Sequence, residues 1–99
     1  MTKRHASIDP VHPGEILRED VFPSLAITKP AFAAALGISR QSLHQLFTLE
    51  RGVTSEMALR LEAVVGSTAE TWLTLQAERD LWAARKRVNL KGLKRLTAA

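Results

Sequence analysis

The feature that most restricts the fold is Gly37, which lies between two short segments with helical periodicity. Apolar residues recur at spacings of three and four on both sides of the glycine: Phe32, Ala33, Leu36, Leu43, Leu46 and Phe47. Glycine tolerates the positive φ that ends one helix and redirects the chain into the next. The small side chain of Ala33 lets the second helix cross close to the first. The segment is therefore predicted to form a sharp helix-turn-helix corner, with an ordinary αα-corner as the alternative.

Proline and capping residues delimit the first two helices of the chain. The stretch at residues 12–15, His-Pro-Gly-Glu, is expected to begin a helix, because proline is tolerated in the first turn and glutamate suits the positive end of the helix dipole. This helix is predicted to end near Phe22, since Pro23 disfavours helical geometry in the residue before it. Thr28 is a suitable N-cap for the next helix, with Pro30 in its first turn.

The second helix of the corner should begin at Ser39 and present a polar face. With its apolar residues turned inward, the first turns expose four side chains that can contact bases: Arg40, Gln41, His44 and Gln45. Arginine can donate two hydrogen bonds to guanine O6 and N7, and glutamine can pair with adenine N6 and N7. No acidic residue lies between Thr28 and Leu49. This face therefore predicts insertion into the major groove of DNA, although a solvated surface remains the alternative for each residue singly.

The DNA backbone is expected to contact a second set of residues around the corner. Hydroxyls, a lysine and backbone N–H groups at helix starts are suited to phosphate oxygens. The residues assigned to this role are Thr28, Lys29, Ser39, Ser42 and Arg51.

A fourth helix is predicted after Thr54. Its inward positions are expected to be Met57, Leu61, Val64 and Val65. Glu56 and Arg60 lie four residues apart in the order that favours an ion pair on the outer face. With a fifth helix after Gly66, the fold class is expected to be all-α.

The last helix is predicted to begin at a capping box formed by Ser67 and Glu70 and to reach about Arg85. At about 100° per residue it has two apolar sides. One contains Leu73, Ala77, Leu81 and Ala84, and the other contains Trp72, Leu75, Trp82 and Ala83. One side can cover the core. The other is expected to leave Trp72, Leu75 and Trp82 for a partner, with burial of both sides as the alternative.

Composition limits the classes of function. A chain of 99 residues has room for one core but not for a deep catalytic cleft, and without cysteine it has neither disulfides nor thiol ligands for zinc. Three scattered histidines do not suggest a metal site, and no carboxylate dyad or nucleophile–base pair suggests an enzyme. Neither a membrane span nor a signal peptide is apparent, so a cytoplasmic location is expected.

The positive charge is concentrated at the C-terminus. The formal charge is +4, yet the first 84 residues carry eight basic and ten acidic side chains, a charge of −2. The basic residues that follow are Arg85, Lys86, Arg87, Lys91, Lys94 and Arg95. Residues 87–99 are accordingly predicted to be a basic tail that either stays disordered or docks as a short helix through its leucines. Residues 1–10 are predicted to be a flexible arm and residues 11–86 the folded domain.

Several motifs occur together along the domain. They are HPGEIL at residues 12–17, the helix-turn-helix at 28–47, RGVT at 51–54, MALRLEAVVG at 57–66, WLTLQ at 72–76 and DLW at 80–82. In this combination, residues 11–85 resemble the HigA-type (VapI-like) antitoxins of the Xre helix-turn-helix family. The HPGEIL and WLxLQ…DLW motifs accompany the general Xre core, which makes the resemblance specific.

The resemblance implies a compact five-helix domain of the lambda-repressor-like type. It further implies a homodimer that binds double-stranded operator DNA, represses its own toxin–antitoxin operon and neutralises a HigB-type toxin, a small mRNA endonuclease. No cofactor is implied. The acidic residues Glu15, Glu19 and Asp20 are a candidate patch for a basic toxin. The alternatives are a stand-alone Xre-type transcriptional regulator and a toxin-neutralising interaction module with little DNA binding.

The loop after the second corner helix departs from the family pattern. Relatives usually have Asn-Gly-Lys-Arg-Gly, whereas this chain has Thr-Leu-Glu-Arg-Gly at residues 48–52. Leu49 replaces a glycine suited to left-handed backbone, and Glu50 places a negative charge where DNA phosphates would lie. DNA contact by this loop is therefore expected to depend on Arg51.

Overall fold

The computed structural model describes residues 9–98, which form five helices. Helix α1 is α-helical over Pro13–Ile16, π-helical over Leu17–Val21 and α-helical again over Phe22–Leu25; α2 spans Lys29–Leu36, α3 Arg40–Phe47, α4 Ser55–Val65 and α5 Ala69–Arg87. The prediction of an all-α five-helix domain is confirmed. The predicted N-terminal arm, residues 1–10, lies outside the described residues except for its last two.

Helix α1 does not end at Phe22, so the prediction based on Pro23 is wrong. The helix continues to Leu25, and Ala26 ends it in left-handed backbone with φ 54°. The reason is the π-helical segment, in which the N–H of Phe22 bonds to the carbonyl of Leu17, five residues earlier. The wider turn admits the proline at the start of the next α-helical segment, where its missing N–H is tolerated.

All five helices contribute to one core or pack against it. The fully buried side chains include Leu17 from α1, Phe32 from α2, Leu43 from α3 and Leu61 from α4. The ring of Phe22 lies 5.7 Å from that of Phe32 and 5.4 Å from that of Phe47, between centroids. The inward faces predicted for α2 and α3 are confirmed.

Two sequence predictions are wrong, one for α4 and one for α5. Val64, which was predicted to face inward, is 39% exposed. Ala58, which was not among the predicted inward residues, is buried. The N-cap of α5 is Thr68, whose side chain accepts a hydrogen bond from the backbone N–H of Thr71, and not Ser67. Ser67 has left-handed backbone with φ 63°, so the helix can begin only at the following residue.

The basic tail leaves the domain after α5. Within residues 88–98 there is no helix, and Leu90, Leu93 and Leu96 are 64%, 73% and 92% exposed. The alternative in which these leucines dock as a short helix is therefore wrong. None of the helices in residues 9–98 combines the length and the hydropathy that crossing a membrane requires.

Candidate nucleic-acid interface

The corner between α2 and α3 has the predicted geometry. Gly37 has φ 72°, the N–H of Ile38 bonds to the carbonyl of Ala33 at 3.0 Å, and the N–H of Gly37 bonds to Ala34 at 3.0 Å. These two bonds are the pattern by which a left-handed residue closes a helix. Because the chain turns within three residues, α3 leaves the corner in a new direction with its first turn at the surface.

Arg60 of α4 stabilises this corner, a role that the sequence did not indicate. Its guanidinium donates to the carbonyls of Leu36 and Gly37, at 3.0 and 3.3 Å, and binds Glu56 at 2.8 Å. The predicted Glu56–Arg60 pair is confirmed, but Arg60 also satisfies carbonyls left open where α2 ends. It therefore ties the turn of the helix-turn-helix to α4.

Helix α3 separates into a buried apolar side and an exposed polar side. Leu43, Leu46 and Phe47 are at most 4% exposed. Arg40, Gln41 and His44 are exposed, as the sequence predicted. In residues 9–98 no hydrogen bond or ion pair holds these three side chains. These side chains are therefore available to contact a large ligand such as a DNA duplex.

Gln45, the fourth residue predicted to contact bases, is only half-exposed and has a partner within the protein. Its amide oxygen accepts hydrogen bonds from Nε and Nη2 of Arg51, at 3.2 and 2.9 Å. The amide oxygen that pairing with adenine N6 requires is thus engaged by Arg51 in this structure, and a base contact by Gln45 stays a prediction. Sequence could not reveal the bond, since the two residues meet only through the loop between them.

The residues assigned to the DNA backbone lie at the start of α2, at the start of α3 and in the loop after α3. Thr28 and Ser39 are the N-caps of α2 and α3, and their side chains accept from the N–H groups of Ala31 and Ser42. Lys29 lies 5.9 Å from the centroid of the Phe47 ring. Ser39 also donates to the hydroxyl of Ser42, at 3.0 Å. The structure thus gathers hydroxyls and a cation at the starts of two helices, but two of the hydroxyls also serve as caps.

The loop after α3 is held by a buried amide. Leu49 has φ 66°, so a leucine adopts the left-handed backbone for which a glycine is better suited. The N–H of Val53 donates to Oε1 of Gln76 at 2.7 Å, and Gln76 is only 7% exposed. Gln76 donates in turn to Asp80 at 2.9 Å. The WLTLQ and DLW motifs of α5 therefore contain the anchor of this loop.

Glu50 in the same loop accepts a hydrogen bond from the hydroxyl of Thr48 at 3.0 Å. Its carboxylate stays exposed beside Arg51. The loop after α3 therefore carries an exposed negative charge, as was expected from the sequence.

The HPGEIL motif positions α1 against the end of α3. His12 is the N-cap, accepting at Nδ1 from the N–H of Gly14, while Glu15 accepts from the backbone N–H of His12. Arg18 donates to the carbonyl of Phe47 at 2.6 Å. The motif, together with Arg18 directly after it, thus holds α1 against the end of α3.

The acidic patch proposed for a toxin is smaller than the sequence suggested. Glu15 belongs to the cap of α1 and lies 3.7 Å from Arg79 of α5. Glu19 binds Arg18 at 2.8 Å. The carboxylate of Glu15 therefore already serves the fold, and a toxin contact by this patch stays a prediction.

The three residues predicted for a partner on α5 have different environments. Trp72 is 3% exposed and its indole N–H donates to Gly66, so its assignment to an interface is wrong. Leu75 packs partly against the core. Trp82 is half-buried, with the cations of Arg79 and Lys86 at 5.0 and 4.0 Å from its ring centroid. Among the large apolar residues of α5, Leu81 is the most exposed, at 52%, and Trp82 lies beside it in the second half of the helix.

Comparison of the sequence with known proteins gives consistent relatives, although no family model matches. Antitoxin HigA-1 of Vibrio cholerae is 38% identical over 79 residues, covering 79% of this chain and 73% of the relative. Virulence-associated protein I of Dichelobacter nodosus is 38% identical over 71 residues, 72% of this chain and 66% of the relative. The HTH-type transcriptional regulator YddM of Escherichia coli is 36% identical over 84 residues, 85% and 88% of the two chains.

Solved structures show the same likeness in three dimensions. The antitoxin GraA superimposes with a TM-score of 0.82 at 35% identity, over 90% of this chain and 99% of GraA. GraA in complex with its operator gives 0.81 at 35% identity, over 92% and 95%. The Pseudomonas aeruginosa antitoxin HigA with the higBA promoter gives 0.73 at 32% identity, over 83% and 94%. By sequence and by structure, the chain belongs to the HigA-type antitoxins of the Xre helix-turn-helix family.

Proposed function

We propose that this chain is a cytoplasmic, sequence-specific DNA-binding antitoxin that represses its own toxin–antitoxin operon and neutralises a HigB-type toxin. The division of α3 into a buried apolar side and an exposed side with Arg40, Gln41 and His44 carries the DNA-binding part. The complexes of GraA and of the P. aeruginosa HigA with operator or promoter DNA support it. The antitoxin names of these relatives support the toxin-binding part.

In this proposal, one set of residues contacts the bases and another contacts the DNA backbone. Arg40 and Gln41 in the first turn of α3 approach base edges, where arginine selects guanine and glutamine selects adenine. His44, one turn later, lies on the same exposed face. Lys29 and the N–H groups at the starts of α2 and α3 bind phosphates and set the register of the helix in the groove.

Arg40→Ala tests the base-contact role. A bidentate arginine–guanine contact contributes roughly 1 to 3 kcal/mol of discrimination at one base position. The substitution should therefore weaken binding to the operator by that amount. Binding to random DNA should be nearly unchanged. The measurement is a mobility shift with the DNA upstream of the chain's own gene against a random duplex of equal length.

Lys29→Ala is the matched control for this experiment. Loss of a phosphate contact should weaken both duplexes alike and reduce the slope of log affinity against log salt by about one. Equal losses on both duplexes for Arg40→Ala would contradict its role. A wild-type protein without any preference for the upstream DNA would contradict sequence-specific repression.

A stand-alone transcriptional regulator is the second candidate, because the E. coli relative YddM is described as an HTH-type regulator and not as an antitoxin. Both candidates predict operator binding. Only the antitoxin predicts that co-expression of this chain rescues cells from the product of a toxin gene beside it.

The proposal includes a homodimer formed by the second half of α5. Leu81 is 52% exposed, and it borders a shallow cleft of about 440 Å³ whose other lining residues are Pro10, Glu78, Trp82, Arg85 and Lys86. Glu78, Leu81, Trp82 and Arg85 have the i, i+3, i+4, i+7 spacing of one helix face. In an antiparallel pair of α5 helices centred between Leu81 and Trp82, Glu78 of each chain lies opposite Arg85 of the other. The charges of this face are therefore self-complementary, as a two-fold interface requires.

A further inference from the structure

Gln45 presents only hydrogen-bond donors to a ligand. Its amide oxygen has two lone pairs, and Nε and Nη2 of Arg51 donate to it at 3.2 and 2.9 Å. A guanidinium has donors and no acceptor, so the amide cannot be rotated to place its NH₂ group toward Arg51. The two N–H groups of Gln45 must then point away from Arg51. Its side chain is half-exposed, on the second turn of α3.

The backbone of the loop keeps Arg51 in this position. The N–H groups of Glu50 and Arg51 both donate to the carbonyl of Gln45, at 2.9 and 3.1 Å. Val53, two residues later, is anchored to the buried Gln76 at 2.7 Å. Gly52 lies so close to Gln76 that a Cβ at this position would be 3.0 Å from its amide carbon. Arg51 is therefore fixed on both sides along the chain.

We propose that Arg51 determines the base specificity of Gln45, so that this glutamine selects guanine or thymine and rejects adenine. Adenine offers an acceptor at N7 and a donor at N6, and the donor needs the amide oxygen that Arg51 occupies. Guanine offers acceptors at O6 and N7 and thymine one at O4, which match an amide with donors alone. This inference rests on the proposed function, because it requires that α3 enters the major groove.

Arg51 is thus a specificity-determining residue, in addition to its expected contact with the DNA backbone. In this structure Nη1 of Arg51 makes no hydrogen bond within residues 9–98, and it remains for a phosphate. Gln76 is a positioning residue that acts through the loop.

Selection from a library of random duplexes tests the inference, and it does so even when the operator sequence has not been determined. The library is bound to the full-length wild-type protein and the retained duplexes are sequenced. The position at which Gln45→Ala loses its preference is the one that Gln45 contacts. The wild type is expected to select guanine or thymine there. Arg51→Met frees the amide oxygen, so the frequency of adenine at that position should rise at least about fivefold.

Two further variants separate specificity from affinity and from folding. Lys29→Met removes a cation of the same interface and should weaken binding to all sequences without changing the selected base. Gln76→Met removes the acceptor of the Val53 N–H and should shift selection toward adenine by a smaller factor. Melting curves followed by circular dichroism confirm that each variant is folded; Arg51 is exposed, so its substitution leaves the core intact.

Adenine selected by the wild type at the position of Gln45, or an unchanged preference in Arg51→Met, would overturn the inference while sequence-specific binding stands. A library from which the wild type retains no preferred sequence would overturn the proposed function, and this inference with it.

Discussion

Gly14 and Gly37 are required for different physical reasons. A Cβ on Gly14 would lie 2.1 Å from the backbone oxygen of Leu46, so the side chain is excluded by the close approach of α1 to the end of α3. At Gly37 the positive φ itself disfavours a side chain, and a Cβ would also lie 2.6 Å from Nη1 of Arg60. In the first case helix packing selects the glycine, and in the second case the turn does.

Gly14→Ala should therefore be strongly destabilising. Because the group it meets is backbone and not the end of a flexible side chain, α1 and α3 must separate, and we expect a loss of about 2 to 3 kcal/mol or more in the free energy of unfolding. Urea denaturation measures it. Gly92→Ala is the control: its φ of 87° also disfavours alanine, but it lies in the exposed tail after α5, where a Cβ meets nothing within 4 Å and the backbone can change without separating two helices, so its midpoint should stay near that of the wild type. A Gly14→Ala midpoint equal to the control would contradict the packing argument.

At the scale of elements, the first turn of α1 depends on a neutral histidine. His12 is 6% exposed, and its Nδ1 accepts from the N–H of Gly14. Burial lowers the pKa of His12, the charge of Arg79 lowers it further, and Glu15 and Asp80 oppose the shift. A protonated ring has no lone pair at Nδ1, so it cannot serve as this cap.

Stability should consequently fall as the pH decreases below about 6.5, the pKa of an unfolded histidine. Between that value and the lowered pKa of the folded state, the unfolded chain binds the extra proton, so the free energy of unfolding decreases by up to about 1.4 kcal/mol per pH unit. His12→Asn retains a capping acceptor but does not titrate, and its unfolding should depend less on pH between 7 and 5. His44→Asn, at an exposed position, is the control. Identical pH profiles for wild type and His12→Asn would exclude the neutral cap.

At the scale of the whole molecule, α5 connects the core to the proposed dimer. Its first half supplies Trp72 and Gln76 to the interior, and its second half extends beyond the other helices with Leu81 exposed. The two copies of α3 in a dimer must be about 34 Å apart to contact successive major grooves on one side of a duplex. A rigid helix shared by core and interface can set that separation.

Charge reversal tests the antiparallel pairing of α5. Glu78→Arg places like charges opposite each other twice in a two-fold dimer, so the dimer dissociation constant should rise about tenfold. Arg85→Glu alone should have the same effect, and the double reversal should restore dimerisation. Sedimentation equilibrium measures the constants. Two single variants that dimerise like the wild type would contradict this interface.

The sequence determined the corner, the caps of α2 and α3, and the exposed residues Arg40, Gln41 and His44, because these features depend on residues close together in the chain. Helical periodicity and the φ of Gly37 are local properties. The motifs that indicate the family consist of the same local features in a fixed order along the chain. The tertiary structure alone decided that Trp72 is buried, that Arg60 binds the corner and that Arg51 occupies the amide of Gln45. Each of these depends on side chains that distant segments, or a folded loop, bring within hydrogen-bonding or packing distance. A pattern along one helix gives the faces of that helix, but which face is covered depends on where the neighbouring helices lie.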